Sequence, residues 1–258
     1  MAVFYIILIP FIGTLLGSSV VFFLKNKIQP EIQKLLLGFA SGVMVAASVW
    51  SLIIPSIEQS ASLGKFAFFP AASGIFLGMV FLFILDMIVP HLHLNAQKAD
   101  GPKASLKRTT MLCFAVTLHN IPEGMAVGVV AAGFLAGSIS LNFASALALS
   151  VGIAIQNFPE GAVISLPLKS EGNSKLKSFL YGTISGIVEP IAALITIIIS
   201  SVINYFLPYL LSFAAGAMLF VVVEELIPEA SEGSHSNNGT IGFGFGFILM
   251  MILDVVFK

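Results

Sequence analysis

Eight runs of mostly apolar residues, each long enough for a helix to cross a lipid bilayer, leave this chain few folds to adopt. A spanning helix needs about 20 such residues. The runs fall at about 2–24, 33–55, 69–90, 109–133, 141–168, 177–202, 206–228 and 239–257. Of the 258 residues, 57% are hydrophobic and only 10% are charged, against roughly a quarter charged in soluble domains. The mean hydropathy is +1.02. The runs are too long and too evenly apolar to be strands of a membrane β-barrel, which alternate in segments of about ten residues. The reading is an all-α integral membrane protein with one transmembrane domain over residues 1–258. The first basic residue, Lys25, follows the first apolar run, whereas a cleavable leader carries its positive charge before that run. The single cysteine, Cys113, rules out an intrachain disulfide and a thiolate metal cage.

Basic residues in the connecting loops orient such a protein, because they accumulate on the cytoplasmic side. Lys25, Lys27, Lys34, Lys98, Lys103, Lys107, Arg108, Lys169, Lys175 and Lys177 follow runs 1, 3 and 5, and only Lys65 and Lys258 fall on the other side. The expected topology is an inner-membrane protein with both termini outside and the loops after helices 1, 3, 5 and 7 in the cytoplasm.

The chain also repeats itself. Leu37-Gly38-Phe39-Ala40-Ser41-Gly42-Val43-Met44 resembles Leu211-Ser212-Phe213-Ala214-Ala215-Gly216-Ala217-Met218. Gly13-Thr14-x-x-Gly17 matches Gly182-Thr183-x-x-Gly186, and Ile84-Leu85-Asp86 matches Ile252-Leu253-Asp254. Helices 1–3 and 6–8 therefore read as copies that run in opposite directions, giving a 3+2+3 arrangement around helices 4 and 5. Inverted repeats are a habit of secondary transporters, which bind cargo near the midplane.

The acidic residues carry the chemistry. Asp86, Glu123, Glu160, Glu189, Glu224, Glu225 and Asp254 lie within the runs, and apart from the end residues Lys34 and Lys177 no Lys or Arg joins them. Each charge in a membrane interior costs about 2.5–3.5 kcal/mol even on the lenient insertion scale. An inventory of one sign asks for cations. Depth singles out His119-Asn120-Ile121-Pro122-Glu123-Gly124 in helix 4 and Gln156-Asn157-Phe158-Pro159-Glu160-Gly161 in helix 5, with Glu189 in helix 6. The i,i+4 spacing puts His119 with Glu123, and Gln156 with Glu160, on one helix face each. Pro122 and Pro159 cannot donate to the ladder and are expected to kink their helices. Met44, in mid-helix 2, is a candidate soft ligand. Glu58 outside helix 2 is a candidate cation collector, and Glu224 and Glu225 are candidate relays on the way out. His91 and His93 have no assigned role.

These residues resemble the ZIP family of divalent metal transporters, in its prokaryotic branch, over essentially the whole chain. The resemblance implies a binuclear site: His119, Glu123, Gln156, Glu160 and Met44 at one position, and Asn120, Glu123, Asn157, Glu160 and Glu189 at the other. It also implies alternating access, uptake toward the cytoplasm, a homodimer, and sliding of one helix bundle against another. Asn157 stands where some relatives have Asp. Three carboxylates then face two divalent ions, and the second position is expected to be the weaker. The cargo expected is Zn²⁺, with Cd²⁺, Fe²⁺, Mn²⁺ and Co²⁺ as further candidates, since imidazole with carboxylate and amide oxygen is a borderline-soft set. Metal is expected to displace protons from Glu123 and Glu160. No organic cofactor or nucleic-acid partner is expected. An enzyme is the poorer reading, because the His-Glu-x-x-His motif of zinc proteases and the paired Glu-x-x-His motifs of di-iron enzymes are absent.

Overall fold

The computed structural model describes residues 2–23, 28–92, 101–102, 107–170, 172–202, 206–233 and 236–257. Among the described residues, eight helices are long and apolar enough to cross a membrane: α1 Ala2–Phe22, α2 Pro30–Gln59, α3 Phe68–Ile88, α4 Thr110–Leu135, α5 Phe143–Ser170, α6 Lys175–Ser200, α7 Leu207–Ser231 and α8 Asn238–Phe257. Their number and order are those expected from the apolar runs. Lys25, Lys27, Lys98, Lys103 and Lys258, on which much of the orientation rests, lie outside the described residues, as does His93.

Local chemistry starts and stops these helices. Pro30 opens α2, where its missing N–H costs nothing, and Glu31 follows in the first turn, at the positive end of the helix dipole. Asn142 accepts from the Ser145 amide ahead of α5, and Ser174 accepts from the Lys177 amide at the start of α6. Gly137, with φ 74°, closes α4 in a left-handed turn.

Two helices run on past a proline at their expected ends. In α2 the residues Ser48–Ile53, and in α7 the residues Val222–Leu226, form a π turn. Each turn is followed by an Ile-Pro pair, Ile54-Pro55 and Ile227-Pro228, after which the helix continues. A proline cannot donate to the carbonyl four residues back, and the π turn absorbs that mismatch in the ladder, so neither proline ends its helix. Helix α6 breaks instead, at Ile187, two residues before Glu189 and three before Pro190.

Small residues set the packing. Between apolar helices in lipid, close van der Waals approach replaces the hydrophobic effect as the attraction. Helix α2 packs along α8, α3 along α7, α1 along α5 and α4 along α6. Each crossing is made through glycine. Gly38 and Gly42 sit against the α8 backbone, Gly74 and Gly78 against α7, Gly13 and Gly17 against α5, and Gly124 and Gly128 against α6. Exchanging helices 1–3 for 6–8 and 4 for 5 turns each of these contacts into another of them. Two groups of four result, α1-α4-α5-α6 and α2-α3-α7-α8, which meet where α4 touches α7 and where α2 and α8 touch α5. The outer faces carry exposed Phe76, Ile198 and Phe245, as a lipid-facing surface requires.

Gly42 tests the crossings. A Cβ there would stand 2.7 Å from the Phe247 amide nitrogen of α8, while at Gly244 it would meet nothing within 4 Å. Gly42→Ala is expected to destabilise the detergent-solubilised protein by about 1–3 kcal/mol. Gly244→Ala should be neutral or slightly stabilising, because alanine is favoured over glycine within helices. Thermal melting of the two variants side by side checks this.

Candidate metal centre

The two motif helices present their polar faces to each other and to α6. Both α4 and α5 continue as helices through Pro122 and Pro159, so the prolines do not divide them. The motif glycines set how near the third and fourth helices come. A Cβ on Gly124 would fall 2.8 Å from the Cα of Glu189, and one on Gly161 would fall 2.8 Å from the amide nitrogen of Ser18 in α1. Glycine at these places brings the Glu189 backbone onto α4, and the Thr14–Ser18 turn of α1 onto α5.

The polar side chains so gathered are all buried. Asn120, Glu123, Gln156, Asn157 and Glu189 are at most 1% exposed, and His119 and Glu160 are 6% and 7% exposed. Gln156 ties the two motifs together: its amide nitrogen donates to Glu123 Oε1 at 2.5 Å and to Glu160 Oε1 at 3.5 Å. Thr14 donates to Glu189 Oε1 at 2.7 Å. Asn120 donates to the carbonyl of Ser185 at 3.1 Å, near the break in α6. The Asn157 side chain stands beside both Glu123 and Glu189.

Apart from Asn157 Nδ2, what these bonds leave over on this face is oxygen. Glu123 Oε2, Glu160 Oε2, Glu189 Oε2, Asn120 Oδ1, Gln156 Oε1 and Asn157 Oδ1 are buried without a hydrogen-bond partner. A buried polar atom left unpaired costs about 1–3 kcal/mol, more when it is charged. Acceptor oxygens from three helices, with the imidazole of His119 on the same face, form a donor set suited to a divalent cation of borderline character. In this conformation His119 is turned toward α7, and among the described residues no three His, Cys, Asp or Glu side chains enclose one metal position.

The partner of His119 is Glu225, whose Oε2 lies in direct contact with Nε2. The two neighbouring glutamates of the α7 π turn point to different sides: Glu225 is 3% exposed and faces the core, whereas Glu224 is exposed beside Val223. Glu160, Glu225 and Glu229 all lie within electrostatic reach of His119. A pocket lined by Leu92, Leu112, Ala115, Val116, Ile164, His119 and Glu229 opens there, with about 30 Å³ of free space, enough for a water molecule.

The remaining candidates are more scattered. Met44 is fully buried in the main apolar core, as is Met218, its counterpart in the repeat. Glu58 is exposed near the end of α2. His91 is buried and pairs with Asp86 at 3.0 Å, its other ring nitrogen meeting the carbonyl of Val89 at 2.8 Å. Asp254 accepts from Ser51, in the π turn of α2, at 2.7 Å. Thr14 carried only a repeat signal in the sequence, and its place against Glu189 came from the fold.

The fold and this face define a helical membrane protein with a buried cluster of unpartnered oxygen donors. Residues 95–254, more than half of the chain, match the family model described as ZIP Zinc transporter. The chain is 36% identical to zinc transporter ZIP11 of Xenopus tropicalis, with 95% of this chain and 96% of that protein covered. It is also 36% identical to zinc transporter ZIPB of Bordetella bronchiseptica, covering 95% of this chain and 77% of the relative. Zinc transporter GufA of Myxococcus xanthus is likewise 36% identical, with 84% of each covered. The chain belongs to the ZIP family, and its relatives come from animals as well as bacteria.

Zinc is expected to stabilise the folded protein by filling this face. At a hundred times the dissociation constant the gain is about 2.7 kcal/mol, or roughly 5–10 °C in melting temperature for a chain of this size. Melting curves with and without Zn²⁺ should show that rise in the parent protein and none in the Glu123→Ala, Glu160→Ala double variant.

Proposed function

We propose that this chain is a secondary transporter that carries divalent metal, foremost Zn²⁺, across the cell membrane toward the cytoplasm. The observation that carries the reading is the set of buried, unpartnered oxygens contributed by Glu123, Gln156, Glu160 and Glu189, in a chain whose relatives are named zinc transporters. Such a face stabilises a cation, and without thiolates it releases the cation again.

The site is binuclear in this reading. His119, Glu123, Gln156, Glu160 and Met44 serve one position, and Asn120, Glu123, Asn157, Glu160 and Glu189 serve the other. Binding at the first requires His119 to leave Glu225 and Gln156 to turn its oxygen inward. Glu225 and Glu229 then receive the metal on its way out, while exposed Glu58 gathers cations at the outer mouth and Glu224 borders the outlet. The orientation follows from the ten-to-two distribution of basic residues in the loops. Helices 1–3 and 6–8 act as inverted repeats around helices 4 and 5. The group α1-α4-α5-α6, which holds the donor set, moves against α2-α3-α7-α8 to expose it to either side in turn. The transporter is a homodimer in this reading.

Proteoliposomes loaded with a zinc-sensitive dye test this. Uptake should saturate with external Zn²⁺ in the parent protein and fall to the level of protein-free vesicles in the Glu123→Ala, Glu160→Ala double variant. Uptake that persists in the double variant sinks the proposal, and uptake that never saturates marks a channel instead of a carrier.

A further inference from the structure

The repeated segments Gly13-Thr14-x-x-Gly17 and Gly182-Thr183-x-x-Gly186 cross each other in the fold. A Cβ on Gly186 would stand 2.8 Å from Thr14 Cγ2 and 3.1 Å from Glu189 Oε1. Ser18, one turn further along α1, covers Gly182 in the same way. Thr14 is 1% exposed, and its backbone carbonyl lies against Gly161 of α5. The residue is thus clamped between the helix that bears Glu160 and the helix that bears Glu189. Its hydroxyl donates to Glu189 Oε1 at 2.7 Å, and Glu189 Oε2 is buried without a hydrogen-bond partner.

We infer that Thr14 is a positioning residue that sets how Glu189 meets the cargo: it holds Oε1 and leaves Oε2 alone to a metal. This rests on the proposed place of Glu189 at the second metal position. A carboxylate bound through one oxygen suits Zn²⁺, which takes few ligands at about 2.0–2.2 Å. Ions such as Mn²⁺, which gather about six oxygens, gain from the second one. The hydroxyl of Thr14 therefore biases the site toward small ions of low coordination number. Valine has nearly the same shape as threonine and fits beneath Gly186 equally well, but it cannot donate.

The test uses the full-length protein in nanodiscs, with Zn²⁺ and Mn²⁺ binding followed by calorimetry and the visible spectrum recorded with Co²⁺. Thr14→Val should raise the Mn²⁺-to-Zn²⁺ affinity ratio roughly tenfold, the scale of one charge-assisted hydrogen bond. It should also weaken the Co²⁺ absorption per bound ion, as the coordination number rises. Thr14→Ala should shift the ratio the same way should the valine variant fail to fold, and Thr14→Ser should keep the parent ratio and spectrum. An unchanged ratio and spectrum in a folded variant without the hydroxyl overturns the inference. Glu189→Gln separates the two readings. Unchanged Zn²⁺ binding in that variant removes Glu189 from the site and defeats both. Weakened binding there, beside an unchanged ratio in Thr14→Val, defeats the role of Thr14 alone.

Discussion

Three carboxylates buried at one depth, with no lysine or arginine among their described neighbours, are the constraint on which the rest of this molecule depends. In a medium of low dielectric they repel one another, and burial strips them of water. The fold answers with neutral donors: Gln156 between Glu123 and Glu160, and Thr14 at Glu189. Each donor satisfies one oxygen of a carboxylate and leaves the other open. The face is therefore held together well enough to fold and left deficient enough in positive charge to bind it.

Close helix crossings make that arrangement possible. Side chains from α1, α4, α5 and α6 converge only because glycines let the backbones touch, at Gly124 on the Glu189 turn and at Gly161 on the Thr14–Ser18 turn. The same device joins α2 to α8 and α3 to α7. Contacts between the two groups of four involve fewer pairs of helices, chiefly α4 with α7 and α5 with α2 and α8.

Much of this was legible in the sequence, for physical reasons that differ from residue to residue. Spans are set by bilayer thickness, which a run of apolar residues reports directly. Glu123 and Glu160 stood out because a carboxylate has no ordinary place in such a run, and the i,i+4 rule placed His119 and Gln156 on their faces. Spacing within one helix does not say which face meets which neighbour. Glu224 and Glu225 looked alike in the sequence, but in the α7 turn Val222–Leu226 Glu225 faces inward to His119 and Glu224 stays outside. Pro55 and Pro228 looked like helix ends, and the same kind of turn carries each helix past them. The contact of Thr14 with Glu189 joins residues 175 positions apart, a distance at which no periodicity speaks.

The contact of His119 with Glu225 has a consequence of its own. It fastens α4 to α7, one helix from each group of four, through the very nitrogen that a metal at His119 would need. A nitrogen that presents its proton to a carboxylate has no lone pair to give a metal. Were His119 to take the ion, its arrival and the release of the clasp would be a single event, and the cargo would be the key to the lock that holds the empty protein still.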